Sequence, residues 1–550
     1  DTSIRDNFIK LCLVGAWNES FKGDRETLRN LLNLNNYDEI VFLIGRIEDK
    51  LPGLIQHYNG QIKISDRHNI IKLIAKYVTS DTLNKILPTM EKTISDEDQY
   101  FNQTLEQQIL INIRGELKPG HSLLIRQEMA STLAIISNNS DFFTNARNAA
   151  FKVQESQKNI LNKDMNLKLL PSIAPLLPII AEINPSTYIN LFADILSAIQ
   201  ENGSPDSLNL SPIFDSITSS LLILAWDKNI FSRACLLLVK AVEIFSSNDN
   251  YNQVIELITS ILLPWHPQTL APVDERIELM RVILNKNPKL GWKILTGLLP
   301  KATGTTFGLH RPKWLNISSQ IPEENKVTNE NYKKQSEAYI DLAFSEIKSH
   351  IHDGLFRLTD MISYIRHVPN NECISRLLEC LSLLKIQDLS KKSKKEVRDV
   401  LCNLLSDIKR KAIKLSDDQT FKIDAIIEDT LPDHSLRKAV TLFDKEDWEF
   451  EPDHVCPYEE RCNKIQQMRD DAIKELLESQ SGYDLVELLA EEIEPKYIQN
   501  VGFALASIDN NKCVNRIFPE KLDDNELLCN LAKGYAHRKY FKDGLSWLDS

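Results

Sequence analysis

The sequence predicts an all-α fold, namely an α-solenoid of stacked helix pairs. Apolar residues recur at three- and four-residue spacing along most of the chain, as amphipathic helices require. In "NIFSRACLLLVKAVEIF", Ile230, Ala234 and Leu237 share one helical face, whereas Arg233 and Lys240 fall elsewhere. Glycine is scarce, at 17 of 550 residues, which leaves little material for the tight turns of a sandwich or barrel.

The prolines lie at expected helix starts and breaks rather than inside helices. They divide "LLPSIAPLLPIIAEINPS" into short pieces, and Pro185 is placed to begin the next helix. Alternation of period two is nearly absent, and "GQIKIS" (60–65) is the one candidate strand. Without a βαβ rhythm, a Rossmann-like or barrel enzyme is not expected, and helix pairs in series predict the solenoid.

The C-terminal end has a spacing close to that of tetratricopeptide (TPR) repeats. In such a repeat a small residue lets two helices approach, and an aromatic residue fills the remaining gap. The positions that carry the spacing are Leu528, Leu531, Gly534, Tyr535, Gly544 and Leu545. The match covers one unit, so the solenoid is predicted to be TPR-like or HEAT-like.

Two segments interrupt the helical pattern. Residues 300–331 are too long for an ordinary connection and predict one long ordered loop insertion, and residues 443–462 are acidic with interleaved aromatic residues. The predicted organisation is an N-terminal helical segment (1–120) following a missing upstream NTPase region, a helical repeat core (121–320) and C-terminal TPR-like repeats (321–550).

Composition and charge narrow the function classes. The net charge of −12 lowers the expectation of direct nucleic-acid binding, which relies on phosphate contacts. The nine scattered cysteines suit reduced thiols in a cytoplasmic protein. We find neither an apolar run of membrane-spanning length nor a signal pattern. Because the chain begins at Asp1 and ends within an expected helix, we expect it to be a fragment of a larger protein.

No catalytic motif is evident in the sequence. In "ATGTTFGL", Gly308 is followed by Leu309, so the lysine of a phosphate-binding loop is missing, and no Gly-Lys-Ser/Thr occurs anywhere. There is no Gly-x-Ser-x-Gly nucleophile motif. The basic stretches 391–398 and 409–414 could contact nucleic acid but are more typical of a solvated helix face. No cofactor is therefore expected in this chain.

Candidate metal ligands occur in two places. Cys456 and Cys462 lie near His454, and His350 lies near His352 and Asp353. Neither set has the paired spacing of a zinc site, so a structural role is favoured over a metal-dependent enzyme. Cys373 and Cys380 are seven residues apart on a predicted helix, which places both on one face and predicts that both lie in the core.

The loop that follows "GWKILTGLLP" has two interpretations. Trp292 is expected on a helix that Pro300 ends, and Pro312 and Trp314 would anchor the chain again after the loop. The residue types favour an ordered loop that bridges two repeats. His310, Arg311 and Lys313 could instead face a partner, as could Trp448 and Phe450 in the acidic segment.

Three successive stretches carry a resemblance to a known family: 222–245, 261–284 and 291–314. Their distinctive residues are Ala225, Trp226, Pro264, Trp265, Pro267, Gln268, Thr269, Gly291, Trp292, Leu298, Leu299, Pro300, Pro312, Lys313 and Trp314. This succession resembles the C-terminal helical sensor region of bacterial antiviral, phage-sensing STAND NTPases. The loop "ATGTTFGLHRP" departs from the family's usual Thr/Ser-rich form.

The resemblance implies that this chain and the rest of a larger parent protein have different functions. The chain would be the sensor, which binds a phage protein such as the terminase large subunit or the portal. The parent protein would add an NTPase that uses ATP and Mg, oligomerises on binding and activates an effector such as a nuclease. The alternative function is a general helical-repeat interaction scaffold without an immune role. Neither reading requires a membrane or a catalytic residue in this chain.

Overall fold

The computed structural model describes residues 2–98, 100, 106–107, 110–111, 120–162, 169–202, 210–245, 248–301, 305–306, 310–317, 327–351, 355–367, 371–410, 415–444, 458–509, 512–518 and 525–549. The predicted all-α fold is confirmed. The chain forms two compact units, the first comprising Asp1–Leu298 and Thr305–Tyr339 and the second Leu299–Gly304 and Ile340–Ser550. We describe each unit separately. The predicted boundaries at residues 120 and 320 stay predictions.

Unit 1 consists of helices and one small sheet. Its helices are α1 (Thr2–Val14), α2 (Lys22–Leu32), α3 (Tyr37–Lys50), α4 (Arg67–Ile74), α5 (Ser80–Ile94), α6 (Leu123–Asn138), α7 (Ala149–Asn162), α8 (Leu170–Ile173), α9 (Leu177–Ala181), α10 (Pro185–Asn202), α11 (Leu210–Leu224), α12 (Phe231–Phe245), α13 (Asn248–Leu262), α14 (Val273–Lys286) and α15 (Pro288–Leu298). Short 3₁₀ turns occupy Ala75–Tyr77, Ser140–Phe142 and Ala174–Leu176. The prolines of 171–185 begin or divide these short helices, as predicted, but Pro88 lies inside α5, where the prediction was wrong.

The sheet contains the predicted strand and two strands that the sequence pattern did not reveal. Its antiparallel order is β1 (Ala16–Asn18), β3 (Gln61–Ile64), β2 (Ile55–Tyr58). Asn59 and Gly60 join β2 to β3 and both have positive φ, which is the requirement of a two-residue hairpin turn. Ile62 and Ile64 are buried, so the alternation in "GQIKIS" correctly indicated a half-buried strand.

Helices α6 to α15 pack as a series of pairs. Contacts join neighbours such as α11 with α12 and α14 with α15, and also helices two apart, such as α10 with α12 and α13 with α15. This near-neighbour pattern is the property of a repeat array, in which each unit buries the apolar face of the next.

The hydrogen bonds of unit 1 give the length of the repeat. The Asn138 side-chain amide donates to the Glu182 carbonyl oxygen (2.8 Å), 44 residues further along the chain. The Thr269 hydroxyl donates to the Ala225 carbonyl oxygen, again 44 residues away (2.7 Å), and the Lys240 ammonium donates to the Ser197 hydroxyl, 43 residues away (2.8 Å). A period of this size lies within the roughly 40–47 residues of HEAT and armadillo repeats, so the HEAT-like part of the prediction fits unit 1.

Unit 2 is also built from packed helix pairs. Its helices include the C-terminal part of α16 (Asn329–Ser349), then α17 (Leu355–His367), α18 (Asn371–Ser382), α19 (Lys391–Arg410), α20 (Asp417–Asp429), α21 (Arg437–Phe443), α22 (Tyr458–Leu477), α23 (Gly482–Glu492), α24 (Ile498–Ile508), α25 (Val514–Ile517) and α26 (Glu526–Asp543). Short 3₁₀ turns occupy Ile386–Asp388, His434–Leu436, Pro495–Tyr497 and Gly544–Asp549. Cys373 and Cys380 are buried here, as predicted.

Two glycines allow α24 and α26 to approach closely. A Cβ atom at Gly502 would lie 2.0 Å from the Leu531 carbonyl oxygen, and one at Gly534 would lie 1.9 Å from the Gln499 carbonyl oxygen. The adjacent Tyr535 is fully buried, and its hydroxyl donates to the Asp509 carboxylate (2.9 Å). The roles predicted for Gly534 and Tyr535 are therefore confirmed, whereas a Cβ atom at Gly544 would meet nothing within 4 Å.

The basic stretch 391–398 has a structural role within unit 2. The Lys391 ammonium lies 2.5 Å from the Glu491 carboxylate, and the Lys395 ammonium donates to the Ile493 carbonyl oxygen (2.9 Å). Arg398 and Glu492 form a buried ion pair (2.6 Å). Three of the basic residues thus fix α19 against the C-terminal end of α23, where cations are favoured. None of the helices that the structure describes has the length and apolar character needed to cross a membrane.

Candidate functional site

Residues 310–317 form a segment that lies on unit 1; we call it the anchor segment. The backbone N–H groups of Trp314 and Leu315 donate to the carboxylate of Glu182, at 2.5 and 2.9 Å. Glu182 is only 3% exposed and follows α9. Burial raises the pKa of Glu182, while the N–H donors of the anchor segment act in the opposite direction. The carboxylate thus holds the segment by charge-assisted hydrogen bonds.

The anchor segment crosses three successive repeats. The Arg311 guanidinium lies over the indole of Trp226, Glu182 binds the next part of the segment, and the Asn316 side-chain amide donates to the Asn138 carbonyl oxygen. Positions 138, 182 and 226 follow one another at intervals of 44 residues, and each lies at the end of a helix or in the turn that follows it. The anchor segment therefore follows one row of turns, in the direction opposite to the order of the repeats.

Cations and aromatic rings alternate along this row of turns. The guanidinium carbon of Arg311 is 5.3 Å from the Trp226 ring centroid, and the Lys313 ammonium is 4.5 Å from that of Trp314. The Trp314 ring in turn contacts His68 of α4, with 5.9 Å between the ring centroids. At these distances a cation is attracted by the negative face of the ring.

Helix α4 and the turn after it continue the same pattern. His68, Lys72 and Lys76 are four residues apart and lie on one side of this element. The Lys72 ammonium is 5.6 Å from the Phe142 ring centroid, and the Lys76 ammonium is 5.0 Å from that of Tyr77. Burial and the neighbouring Lys72 lower the pKa of His68. The imidazole is therefore less easily protonated than usual.

We call this surface the cation–aromatic stripe. It consists of four cations and the four rings they contact: Lys72, Lys76, Arg311, Lys313, Tyr77, Phe142, Trp226 and Trp314. Within the described ranges, no carboxylate oxygen comes within 4.0 Å of the charged ends of these four cations. A chain with a net charge of −12 thus presents a local group of cations without a carboxylate in ion-pair contact, while the buried Glu182 carboxylate interacts electrostatically with Lys313.

Two hydrogen-bond donors near the Arg311 contact have no acceptor. Trp226 is 7% exposed and Gln268 is 2% exposed, yet the Trp226 Nε1 and Gln268 Nε2 atoms are buried without a partner in the described part of the chain. The turn containing Gln268 is fixed beside Trp226, because the Leu270 N–H donates to the Trp226 carbonyl oxygen (3.3 Å). Leaving such donors unpaired costs about 1–3 kcal/mol each.

The structure places the sequence-predicted partner residues in two groups. Arg311 and Lys313 are exposed on the anchor segment, whereas His310 is half-buried and burial lowers its pKa. Trp448 and Phe450 lie outside the described residues. The binding role of these five residues stays a prediction.

Most of the structural signature residues lie near the row of turns. Pro264 is buried, Trp265 is 40% exposed and stacks on His266, and Pro312 is half-buried in the anchor segment. Trp292 is buried within α15, which ends two residues before Pro300. The expected helix end is therefore confirmed.

Sequence reasoning missed the α4 side of the stripe. His68, Lys72 and Phe142 are more than 160 residues from the anchor segment, and only the stacking of repeats brings them beside it. The 44-residue spacing of the turns was the available signal, but the equivalent positions carry Asn138, Glu182 and Trp226, so no repeated motif marks them.

The candidate metal ligands do not form a site in the described part of the chain. Within those ranges no group of three or more His, Cys, Asp and Glu residues is placed to hold a metal ion. The His350 imidazole contacts the Glu346 carbonyl oxygen (3.2 Å) instead. His352, Asp353, His454 and Cys456 lie outside the described residues.

Comparison with known proteins identifies no family for this chain. No protein-family model and no curated protein matches it. Among solved structures, it is similar to a circular tandem repeat protein with novel repeat topology (12% identity, 88% of this chain and 95% of that chain, TM-score 0.19). Another is the structure of APUM23 with GGAGUUGACGG (12% identity, 96% and 99%, TM-score 0.23). Scores this low support no inference, so the description of the repeats rests on the chain's own contacts.

Proposed function

We propose that this chain is a non-catalytic recognition module that binds a protein partner through the cation–aromatic stripe. The observation that carries the proposal is the group of four cations without a carboxylate in ion-pair contact. Two of them lie on the anchor segment along the row of turns, and two lie on α4 and the turn after it. Repeat arrays suit this task because they present side chains of several repeats to one partner. Charged residues that steer a partner act best from such an exposed rim.

The partner that we propose is a phage protein, either the terminase large subunit or the portal. The support is the resemblance of 222–245, 261–284 and 291–314 to the sensor region of antiviral STAND NTPases. In this proposal the parent protein supplies the NTPase with its ATP and Mg, and the NTPase oligomerises when the sensor is occupied. The chain itself contributes recognition and no chemistry.

The alternative is a general interaction scaffold that joins host proteins. The same stripe would serve that function, because its cations favour an acidic partner of any origin. The two proposals differ in the identity of the partner and not in the surface that binds it.

The experiment that tests the proposed function is a pull-down of the 550-residue chain against individually expressed phage terminase and portal proteins. Light scattering during gel filtration then gives the stoichiometry of any complex. A one-to-one complex with either protein supports the sensor function. A folded chain that binds neither protein, but retains a host protein at defined stoichiometry, supports the scaffold function instead.

A further inference from the structure

The two exposed cations of the anchor segment lie close together along the chain. Arg311 and Lys313 are exposed, whereas Pro312 between them and Trp314 after them are half-buried. Since even a fully extended chain rises only about 3.3 Å per residue, the Arg311 and Lys313 side chains start at most about 7 Å apart.

Two acids near the stripe are already engaged. The carboxylate of Glu182 accepts the two backbone N–H groups of the anchor segment, and Asp66 accepts from the Asn69 amide (2.9 Å). The cations of the stripe rest on aromatic rings, from which a carboxylate of a partner can attract them.

The ring at the Arg311 end of the stripe favours a polypeptide over a single-stranded nucleic acid. Proteins that bind single strands offer free aromatic faces on which the bases stack. Trp226 carries the Arg311 guanidinium and is only 7% exposed, whereas Tyr77 and Phe142 at the other end are each 49% exposed. At the anchor segment the surface thus offers positive charge without a free stacking face at Trp226.

We infer that the cation–aromatic stripe binds an extended acidic segment of a protein partner, with carboxylates of alternate residues facing Arg311 and Lys313. Alternate side chains of an extended segment are about 7 Å apart, which the long side chains of Arg311 and Lys313 can span. Further acidic residues of the segment contact Lys72 on α4 and Lys76 in the turn after it. The inference rests on the proposed function, since it specifies the chemistry of the partner at the same surface.

The test uses the full chain and a fluorescein-labelled peptide of alternating Glu and Ser, with anisotropy measured at low salt. Wild type binds this peptide, and the double variant Arg311→Glu/Lys313→Glu binds it at least about tenfold more weakly, because attraction becomes repulsion. The matched control is Lys286→Glu/Lys289→Glu, which makes the same charge change at exposed positions of unit 1 away from the stripe. Its affinity for the peptide stays within about twofold of wild type.

Three results would overturn the inference. They are equal loss of affinity in both double variants, no binding of the peptide to wild type, and binding of labelled oligothymidylate in preference to the peptide. Failure of the proposed function is distinguishable from these results. A terminase or portal complex that is indifferent to Arg311→Glu/Lys313→Glu would keep the sensor function and refute the acidic-segment site. If the peptide binds through the stripe but neither phage protein forms a complex, the acidic-segment site is kept and the sensor function is refuted.

Discussion

The close contact between α24 and α26 makes a prediction with an internal control. In Gly534→Ala, the new Cβ would lie 1.9 Å from the Gln499 carbonyl oxygen, whereas ordinary contact begins near 3.4 Å. The two helices must therefore separate by about 1.5 Å. Overpacking of this kind costs about 1–3 kcal/mol, and against rigid backbone we expect the upper end. The higher helix propensity of alanine offsets about 1 kcal/mol of this cost, so the free energy of unfolding falls by about 2 kcal/mol in total.

The control is Gly45→Ala in α3, where a Cβ would meet nothing within 4 Å. Here only the higher helix propensity of alanine acts, so we expect the free energy of unfolding to rise by about 0.5–1 kcal/mol. Because two units need not unfold together, hydrogen exchange measured by mass spectrometry is the suitable assay, since it reports the local free energy of opening. Peptides from α24 and α26 should exchange faster in Gly534→Ala, and those from α3 more slowly in Gly45→Ala. Unchanged exchange in Gly534→Ala would refute the helix contact.

Three further predictions concern buried polar groups. Burial, and secondly the charge of the nearby Asp444, raise the pKa of Asp399 to about 7. Because this lies above the unfolded value of about 3.9, the contribution of Asp399 to the free energy of unfolding falls as pH rises between those two values. Urea unfolding of unit 2 from pH 4 to 8 should show a shallower decline in Asp399→Asn, and an identical decline would contradict this assignment. Gln268→Met removes a buried unpaired donor and should raise the thermal midpoint of unit 1; a lower midpoint would show that the amide has a partner. Glu182→Ala removes the acceptor of two backbone N–H groups, so hydrogen exchange in the anchor segment should accelerate, and unchanged exchange would refute the anchoring.

The sequence was sufficient for the helical architecture because the helices bury one apolar face each. The three-to-four spacing in 229–245 lies on α12, and "GQIKIS" contains β3. The partners of β3 were missed for a physical reason. Ala16–Asn18 has only three residues, and its pairing with Gln61–Lys63 depends on contacts between distant parts of the chain.

The binding surface was only partly predictable. Arg311 and Lys313 stood out because they lie in an irregular segment rich in turn residues. Lys72 and Phe142 look like ordinary helix and turn residues, and nothing local distinguishes them. Their relation to the anchor segment arises from the register of the repeats, which the hydrogen bonds 43 and 44 residues apart define.

The measurement that most directly tests the central claim is the equilibrium affinity of the full chain for phage terminase and portal proteins, compared among three proteins. These are wild type, Arg311→Glu/Lys313→Glu and the control Lys286→Glu/Lys289→Glu. We expect wild type and the control to bind one of the phage proteins equally well, and the stripe variant to bind it at least about tenfold more weakly, with a reduced dependence on salt. Equal affinity of all three would contradict the claim that the cation–aromatic stripe is the recognition surface.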